Sequence, residues 1–209
     1  MRWNPGADGR NVLSDAELAA VWGRRTLEPP YGAFIKLLVL TGARRSEISG
    51  IRWQEIDFAG KAFTLPKSRS KNGREHVFAL ADAAIEILTA CPRVGESAFV
   101  FTISGRTPIR GDASIKKRID ALAPSEKPWV LHDLRRTFPS GCARLGIPIH
   151  VVEKCLGHTS GTFRGIVSVY QRHDFASEQR SAMAAWANVV QSLVGDGLAP
   201  NVVPLARRI

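Results

Sequence analysis

The chain has 209 residues, of which 44% are hydrophobic and 23% charged, which is enough apolar material for the core of one domain with at most a small appendage. This composition excludes a disordered chain and a disulfide scaffold, and apolar stretches such as residues 37–40 are far too short to span a bilayer. With 29 Lys and Arg against 19 Asp and Glu, the net charge of +10 favours a polyanionic partner such as nucleic acid, although a merely basic soluble protein has the same charge. The N-terminus has no apolar core of a signal peptide, so a cytosolic protein is the default expectation.

Most of the chain is predicted to be helical. A capping box at Ser14 and Glu17 starts the first helix, and Gly42 ends the second, which is mostly buried. The predicted helices lie at about residues 15–22, 34–41, 45–49, 82–89, 114–123, 133–145, 148–156, 163–171 and 175–194. The apolar stripe of the last helix is expected to dock on an apolar surface.

Three short antiparallel strands are predicted inside this helical chain. Residues 56–58 and 62–65 form one hairpin, with its turn at Ala59-Gly60. Asn72-Gly73, the strongest short hairpin signal, is predicted to join a strand ending near Lys71 to a strand over residues 74–80. The expected fold class is therefore mainly α with a small three-stranded antiparallel β-sheet.

The chain divides into three predicted parts. Residues 1–13 are rich in Gly, Asn and Asp and are predicted to be a leader or linker. Residues 14–195 form one domain, and residues 196–209, with two prolines, form an irregular tail.

Two runs of basic residues coincide with predicted surface elements. Between Lys61 and Arg74 there are five Lys or Arg and no acid, and between Arg106 and Arg118 there are five more with one acid. A charge run is usually just a solvated face, but a hairpin and a loop-plus-helix with this charge suit a surface that follows a phosphate backbone. The candidate DNA-binding residues are Lys67, Arg69, Arg74, Arg110, Lys116 and Lys117.

Several short motifs carry groups that could act on a phosphate. His132 and Arg135 are three residues apart on a predicted helix and share a face, where they offer bidentate donors and a group that titrates near neutrality. Arg44 lies at the start of a helix, where free N–H groups favour an anion, and Glu47 follows one turn later. Each motif alone also fits an ordinary structural role. The remaining candidates are Lys71, His158 in Leu156-Gly157-His158, and Tyr170.

The cysteines do not predict a metal site. Cys91, Cys142 and Cys155 are odd in number and far apart, which is typical of buried thiols in a reducing compartment. Cys155 and His158 are three residues apart, with His150 upstream, but zinc needs about four well-spaced ligands and there is no second pair.

The order of the motifs resembles the tyrosine recombinase (phage integrase) family. The series is an Arg in Thr-Gly-x-Arg-x-x-Glu, a Lys beside a hairpin turn, His-x-x-Arg, Leu-Gly-His and then Tyr, and the surrounding residues 51–57, 132–138 and 169–173 agree with it. The resemblance covers about residues 14–194, and the insert at 159–165 resembles integrases of genomic islands and temperate phages. It implies the family's catalytic fold and the cutting and rejoining of double-stranded DNA without a cofactor.

The resemblance also implies a role for each candidate. Tyr170 would attack the scissile phosphate and leave a 3′-phosphotyrosyl link, while Arg44, Arg135 and His158 would hold the non-bridging oxygens as charge builds. An acidic cluster for two-metal chemistry is not evident in the sequence, which is consistent with a metal-free covalent route.

The proton transfers would fall to other residues. Lys71 would protonate the leaving 5′-oxygen, with Lys67 and Arg74 on the same hairpin as alternatives. His132 would assist proton movement at the nucleophile or hold the phosphate, and Glu47 would support the pocket.

For partners, the resemblance implies self-assembly into a tetramer on DNA, in which the final helix and the tail dock on a neighbouring protomer. It also implies host or phage DNA-bending proteins as accessories, no membrane, and a place in the cytoplasm with the nucleoid. Family members usually carry an N-terminal helical domain that clamps the opposite face of the DNA, and only about thirteen residues precede the capping box here. We therefore expect a catalytic-domain fragment or a truncated gene, monomeric without DNA. A DNA-binding remnant without productive recombination stays open as the alternative, and the motif order disfavours a type IB topoisomerase-like enzyme or an RNA-binding protein.

Overall fold

The computed structural model describes residues 11–23, 27–110, 113–122, 128–158 and 175–195. Its helices are α1 (Asp15–Trp22), α2 (Tyr31–Thr41), α3 (Arg45–Ser49), α4 (Asp82–Thr89), α5 (Ala113–Leu122), α6 (Leu131–Arg144), α7 (Ile149–Cys155) and α8 (Ala176–Ser192). A 3₁₀ turn at Trp53–Glu55 precedes the strands β1 (Ile56–Asp57), β2 (Ala62–Leu65) and β3 (His76–Ala79). The predicted fold class is confirmed. The helix predicted at 163–171 and the tail at 196–209 lie outside the described residues.

Helix α2 is the centre of the core. It is apolar on nearly all sides, as expected for a helix surrounded by others, and it packs against α1, α3, α4, α6 and α8. Gly42 ends it in the left-handed conformation, with φ of 58°. A Cβ atom on Gly42 would lie 2.7 Å from Cγ of Phe138 on α6, so the turn from α2 to α3 is pressed against α6. This close approach positions the start of α3.

The three strands form an antiparallel sheet in the order β1-β2-β3. Phe63 on β2 pairs with Phe78 on β3, and their buried rings stack with centroids 5.4 Å apart. The predicted two-residue hairpin at Asn72-Gly73 is wrong, because β2 ends at Leu65 and β3 begins at His76. A ten-residue loop, residues 66–75, joins them, since the pairing of two buried aromatic side chains fixes the register and the local turn signal does not.

Helix α8 docks through its apolar stripe on its own chain. The Trp186 side chain is fully buried, its Nε1–H donates to the carbonyl of Val39 at 2.9 Å, and its ring meets that of Phe138 edge to face. Gly141 on α6 makes room for it, because a Cβ there would lie 2.0 Å from the indole ring. The expected docking on an apolar surface is confirmed, but that surface is internal. The stripe of α8 is thus covered within its own chain, and the docking of this helix with its tail on a neighbouring protomer stays a prediction.

Two of the boundaries that differ from the prediction are explained by hydrogen bonds. Leu13 is buried and its N–H donates to Oγ1 of Thr137 at 3.0 Å, so the folded chain begins before Ser14 and includes part of the predicted leader. Helix α6 begins at Leu131, earlier than predicted, because the Asp133 carboxylate accepts the Val130 N–H at 2.9 Å and caps the first turn.

Candidate active site

Arg135 joins three parts of the chain that are distant in sequence. Its Nη1 donates to the carbonyl of Gly42 at 2.7 Å, and its Nη2 donates to the carbonyl of Leu156 at 3.0 Å. These carbonyls lie at the C-terminal ends of α2 and α7, where a cation is favourable. Burial, followed by the charge of Arg44, lowers the pKa of the Arg135 guanidinium to about 10, so it remains charged at neutral pH.

Arg44 is held by the buried carboxylate of Glu47. Its Nη1 donates to Oε1 of Glu47 at 2.7 Å, and its backbone N–H donates to Oε2 at 2.7 Å. Glu47 is only 2% exposed, whereas the Arg44 side chain is 23% exposed. The carboxylate therefore fixes Arg44 while leaving part of its guanidinium accessible, and it offsets part of the positive charge of Arg44 and Arg135.

His158 completes this cluster. Nη2 of Arg135 also donates to Nε2 of His158, with the two atoms 2.8 Å apart, so this ring nitrogen is an acceptor and the proton of the neutral ring is on Nδ1. Partial burial, then the charges of Arg135 and Arg44, lower the pKa of His158, which agrees with a neutral ring. Of the five N–H donors of Arg135, three have acceptors among the described residues.

Lys71 lies on the exposed loop between β2 and β3. The loop reaches the cluster through Asn72, whose side-chain Nδ2 donates to the carbonyl of Gly157 at 3.3 Å. The residue after Lys71 therefore contacts the residue before His158. Lys67 and Arg74, the alternatives for the same role, are exposed on the same loop.

His132 lies in the first turn of α6, on the same side as Arg135. Partial burial of its ring and then the guanidiniums of Arg136 and Arg135 lower its pKa. His132 is exposed, and the charges of Arg135 and Arg44 are close enough to act on its ring.

His76 was missed by the sequence analysis. It lies on β3, its Nε2–H donates to the carbonyl of Cys155 at 3.2 Å, and its ring is under Gly157, where a Cβ would come within 2.9 Å of it. Burial is the main cause of its lowered pKa, and Glu47, Arg135 and Arg44 all lie close enough to act on it electrostatically. Through these contacts, His76 packs the sheet against the C-terminal end of α7. The sequence offers no local signal for this, because its partners are about 80 residues away.

Among protein-family models, that of the phage integrase family matches residues 17–177 of this chain. The chain belongs to the phage integrase family. That range includes the elements bearing Arg44, Lys71, Arg135 and His158, so the family assignment and the buried cluster concern the same part of this integrase-family chain.

Curated relatives of this integrase-family chain are prophage and phage integrases. It is 32% identical over 171 residues to prophage integrase IntZ of Escherichia coli K12, covering 78% of this chain and 40% of the relative. It is 29% identical over 160 residues to prophage integrase IntA of the same strain, covering 74% and 37%. The chain thus spans well under half the length of the curated relatives it matches.

Solved structures share the fold of a tyrosine recombinase catalytic domain. The integrase from mycobacterium phage Brujita matches with a TM-score of 0.68 at 16% identity, covering 95% of this chain and 67% of that one. A lambda integrase(75-356) dimer bound to a COC' core site matches with a TM-score of 0.60 at 19% identity, covering 79% and 63%.

The candidate DNA-binding residues fall into two groups in the integrase-family chain. Four are exposed, with side chains that solvent or a ligand can reach: Lys67, Arg74, Arg110 and Lys117. Two are already engaged. Lys116 pairs with Asp120 and lies over the Trp129 ring, and the half-buried Arg69 pairs with Glu55.

The remaining predictions concern the nucleophile, the thiols and metal ligands. Tyr170 lies outside the described residues. Cys142 and Cys155 are buried free thiols whose pKa values burial raises to about 12, and Cys91 is half-buried. In the part of the chain that the structure describes, no three His, Cys, Asp or Glu side chains converge to bind a metal ion. Among the described helices, none has the length and hydropathy needed to cross a bilayer.

Proposed function

We propose that residues 14–195 are the catalytic domain of a site-specific recombinase that cleaves and rejoins double-stranded DNA. The main observation behind this proposal is the buried Arg135 guanidinium. Its hydrogen bonds hold the α2–α3 turn, which bears Arg44, and the turn that bears His158 next to each other. Such preorganised donors suit the oxygens of a phosphate whose negative charge increases in the transition state. Family membership supports the same reaction.

The proposed reaction needs no cofactor, because the side chains of the chain and the DNA itself supply every reacting group. The Tyr170 hydroxyl loses its proton to His132 or to water and its oxygen attacks phosphorus. The bond between phosphorus and the 5′-oxygen breaks, and a 3′-phosphotyrosine forms. Lys71 donates a proton to the leaving 5′-oxygen. A second 5′-hydroxyl then attacks the phosphotyrosine, releases the tyrosine and restores the phosphodiester. His132 takes part in proton movement at the tyrosine or holds the phosphate.

The proposed biological role is the integration or excision of a mobile element. It requires four copies of the catalytic domain on two DNA sites, with DNA-bending accessory proteins as further partners, acting on chromosomal DNA in the cytoplasm. The DNA-bound lambda integrase dimer that shares this fold supports double-stranded DNA as the partner.

Covalent trapping tests the proposal. The chain is mixed with nicked duplexes carrying the attachment site from the flanking genome, denatured in detergent, and examined for a DNA-linked band. We expect a band with the wild-type chain and none with Tyr170→Phe. The matched control is Tyr31→Phe, which changes the other tyrosine of the chain, a half-buried ring under Arg118, and should leave the band intact.

Two outcomes would contradict the proposal. A band that persists in Tyr170→Phe would show that another group is the nucleophile. Binding of the duplex by the wild-type chain without any band would favour the DNA-binding remnant.

The role of Arg135 has its own test. Arg135→Ala should lower the cleavage rate about 10²–10³-fold and leave most duplex binding intact, because it removes donors to the transition state. Arg136→Ala is the matched control, since this neighbour pairs with Asp133 and not with the carbonyls of Gly42 and Leu156 that Arg135 contacts. Equal losses of binding and cleavage in Arg135→Ala would make this residue a plain backbone contact.

A further inference from the structure

The loop over residues 66–75 is fastened to the molecule on both sides of Lys71. The two residues involved, Arg69 and Asn72, precede and follow Lys71 at short distance, and each bonds to a different part of the active-site cluster. From the sequence, Arg69 was predicted to contact DNA and Asn72 to form a turn, and neither role explains these bonds.

Arg69 fastens the loop to the side of the site that bears Arg44. Its Nη1 donates to the carbonyl of Glu47 at 3.3 Å, and its Nη2 pairs with the carboxylate of Glu55, which is only 9% exposed. The guanidinium fits closely over Gly50, where a Cβ would lie 3.0 Å from Nη1. A side chain held by a buried carboxylate and a helix-end carbonyl is poorly placed to contact a DNA backbone.

Asn72 fastens the loop to the opposite side, which bears His158. Its Nδ2 donates to the carbonyl of Gly157 at 3.3 Å. Gly157 is itself fixed, because its φ is +61° and the His76 ring leaves no room for a Cβ. The acceptor of the Asn72 bond therefore has a defined position.

We infer that Arg69 and Asn72 are positioning residues for Lys71. The inference rests on the proposed function, in which Lys71 protonates the leaving 5′-oxygen. A general acid must come within hydrogen-bond reach of the atom that it protonates, and the flexible Lys side chain meets this condition only if its backbone is fixed. The side-chain bonds of Arg69 and Asn72 fix that backbone between the element that bears Arg44 and the turn that bears His158.

A duplex with sulfur in place of the bridging 5′-oxygen tests whether a variant cleaves slowly because it lacks a positioned proton donor. A thiol has a pKa near 8.5, so a thiolate leaves without the proton that an alkoxide requires. Lys71→Ala, Arg69→Met and Asn72→Ala should each cleave an ordinary suicide duplex more slowly, by about 10²-fold or more for Lys71→Ala and about 10-fold or more for the other two. On the sulfur-bridged duplex, all three should cleave within about threefold of the wild-type rate.

Two controls separate anchoring from other roles. Ser68→Ala changes an exposed residue of the same loop that has no proposed part in binding or catalysis, and it should cleave both duplexes at wild-type rates. The double variant Arg69→Met/Lys71→Ala should be no slower on the ordinary duplex than Lys71→Ala, since the two residues act in one step.

A measurement without DNA checks the anchors directly. Amide hydrogen exchange over residues 66–75 should be faster in Arg69→Met and in Asn72→Ala than in the wild-type chain, and unchanged in Ser68→Ala. Asn72 is exposed, so its variant gives a result even where Arg69→Met is poorly folded through the loss of a partner for Glu55.

The possible failures are distinguishable. If Lys71→Ala is not rescued by sulfur, the proposed role of Lys71 fails and the inference fails with it. If Lys71→Ala is rescued while Arg69→Met and Asn72→Ala remain slow on both duplexes, only the positioning role is refuted. Unchanged amide exchange in both anchor variants would refute it as well.

Discussion

Replacing Gly42 by Ala tests whether the turn before Arg44 is held by its contact with α6. Two effects add at this position. The left-handed φ of 58° costs an L-residue about 1–2 kcal/mol. The new Cβ would also lie 2.7 Å from Cγ of Phe138 and 3.0 Å from Cδ2 of Leu156, and overpacking of this kind costs about 1–3 kcal/mol. The expected loss in the free energy of unfolding is about 2–5 kcal/mol.

Gly146→Ala is the matched control. Gly146 has a φ of +73°, and nothing lies within 4 Å of the position that its Cβ would take. It therefore carries only the conformational effect, about 1–2 kcal/mol. Urea unfolding of both variants, with the slope m unchanged, measures the difference that the contact with Phe138 makes.

The same variant reports on the active site. The Gly42 carbonyl accepts a hydrogen bond from Arg135, so displacement of this turn should lower DNA cleavage in Gly42→Ala at temperatures where the chain is folded. Gly146→Ala should retain wild-type cleavage. Equal destabilisation of the two variants would refute the reasoning, because it would show that Phe138 yields without cost.

Three further outcomes follow from the contacts described. Glu47→Gln should lower cleavage about 10–100-fold with little change in duplex binding, because it removes the charge that fixes Arg44; equal loss of binding in a filter assay would contradict this. Trp186→Phe should lower the free energy of unfolding by about 1–3 kcal/mol, since the indole N–H bond to α2 is lost, and an unchanged urea midpoint would exclude that bond as a source of stability. Because burial holds the pKa values of His76 and His158 below 6.5, the unfolded chain binds more protons than the folded chain as the pH falls below that value, so stability should decrease there. The decrease, measured by urea unfolding at several pH values, should be smaller in His76→Gln, and an identical pH profile in this variant would contradict the assignment.

Local signals were sufficient for most of the fold. The capping box at Ser14 and the helix end at Gly42 lie where the sequence indicates, because a cap depends on residues within one turn. The prediction for the loop after β2 was wrong for the opposite reason. Its ends are set by the pairing of Phe63 with Phe78, and no dipeptide within the loop contains that information.

The candidate site shows the same division. Arg44 and Glu47 are three residues apart, and the sequence indicated their association, which the structure contains as two hydrogen bonds. Arg69 has its partners 14 and 22 residues away, and its engagement with them could not be foreseen from a run of basic residues. His76 reaches across 79 residues to the end of α7, so its place became visible only in the folded chain.

The acceptors of Arg135 are separated from it by 93, 21 and 23 residues along the chain. A nascent or partly unfolded chain therefore lacks the assembled cluster, while its basic side chains still attract DNA. Under the proposed function, such a chain would occupy a duplex without breaking it, and strand cleavage would depend on completed folding.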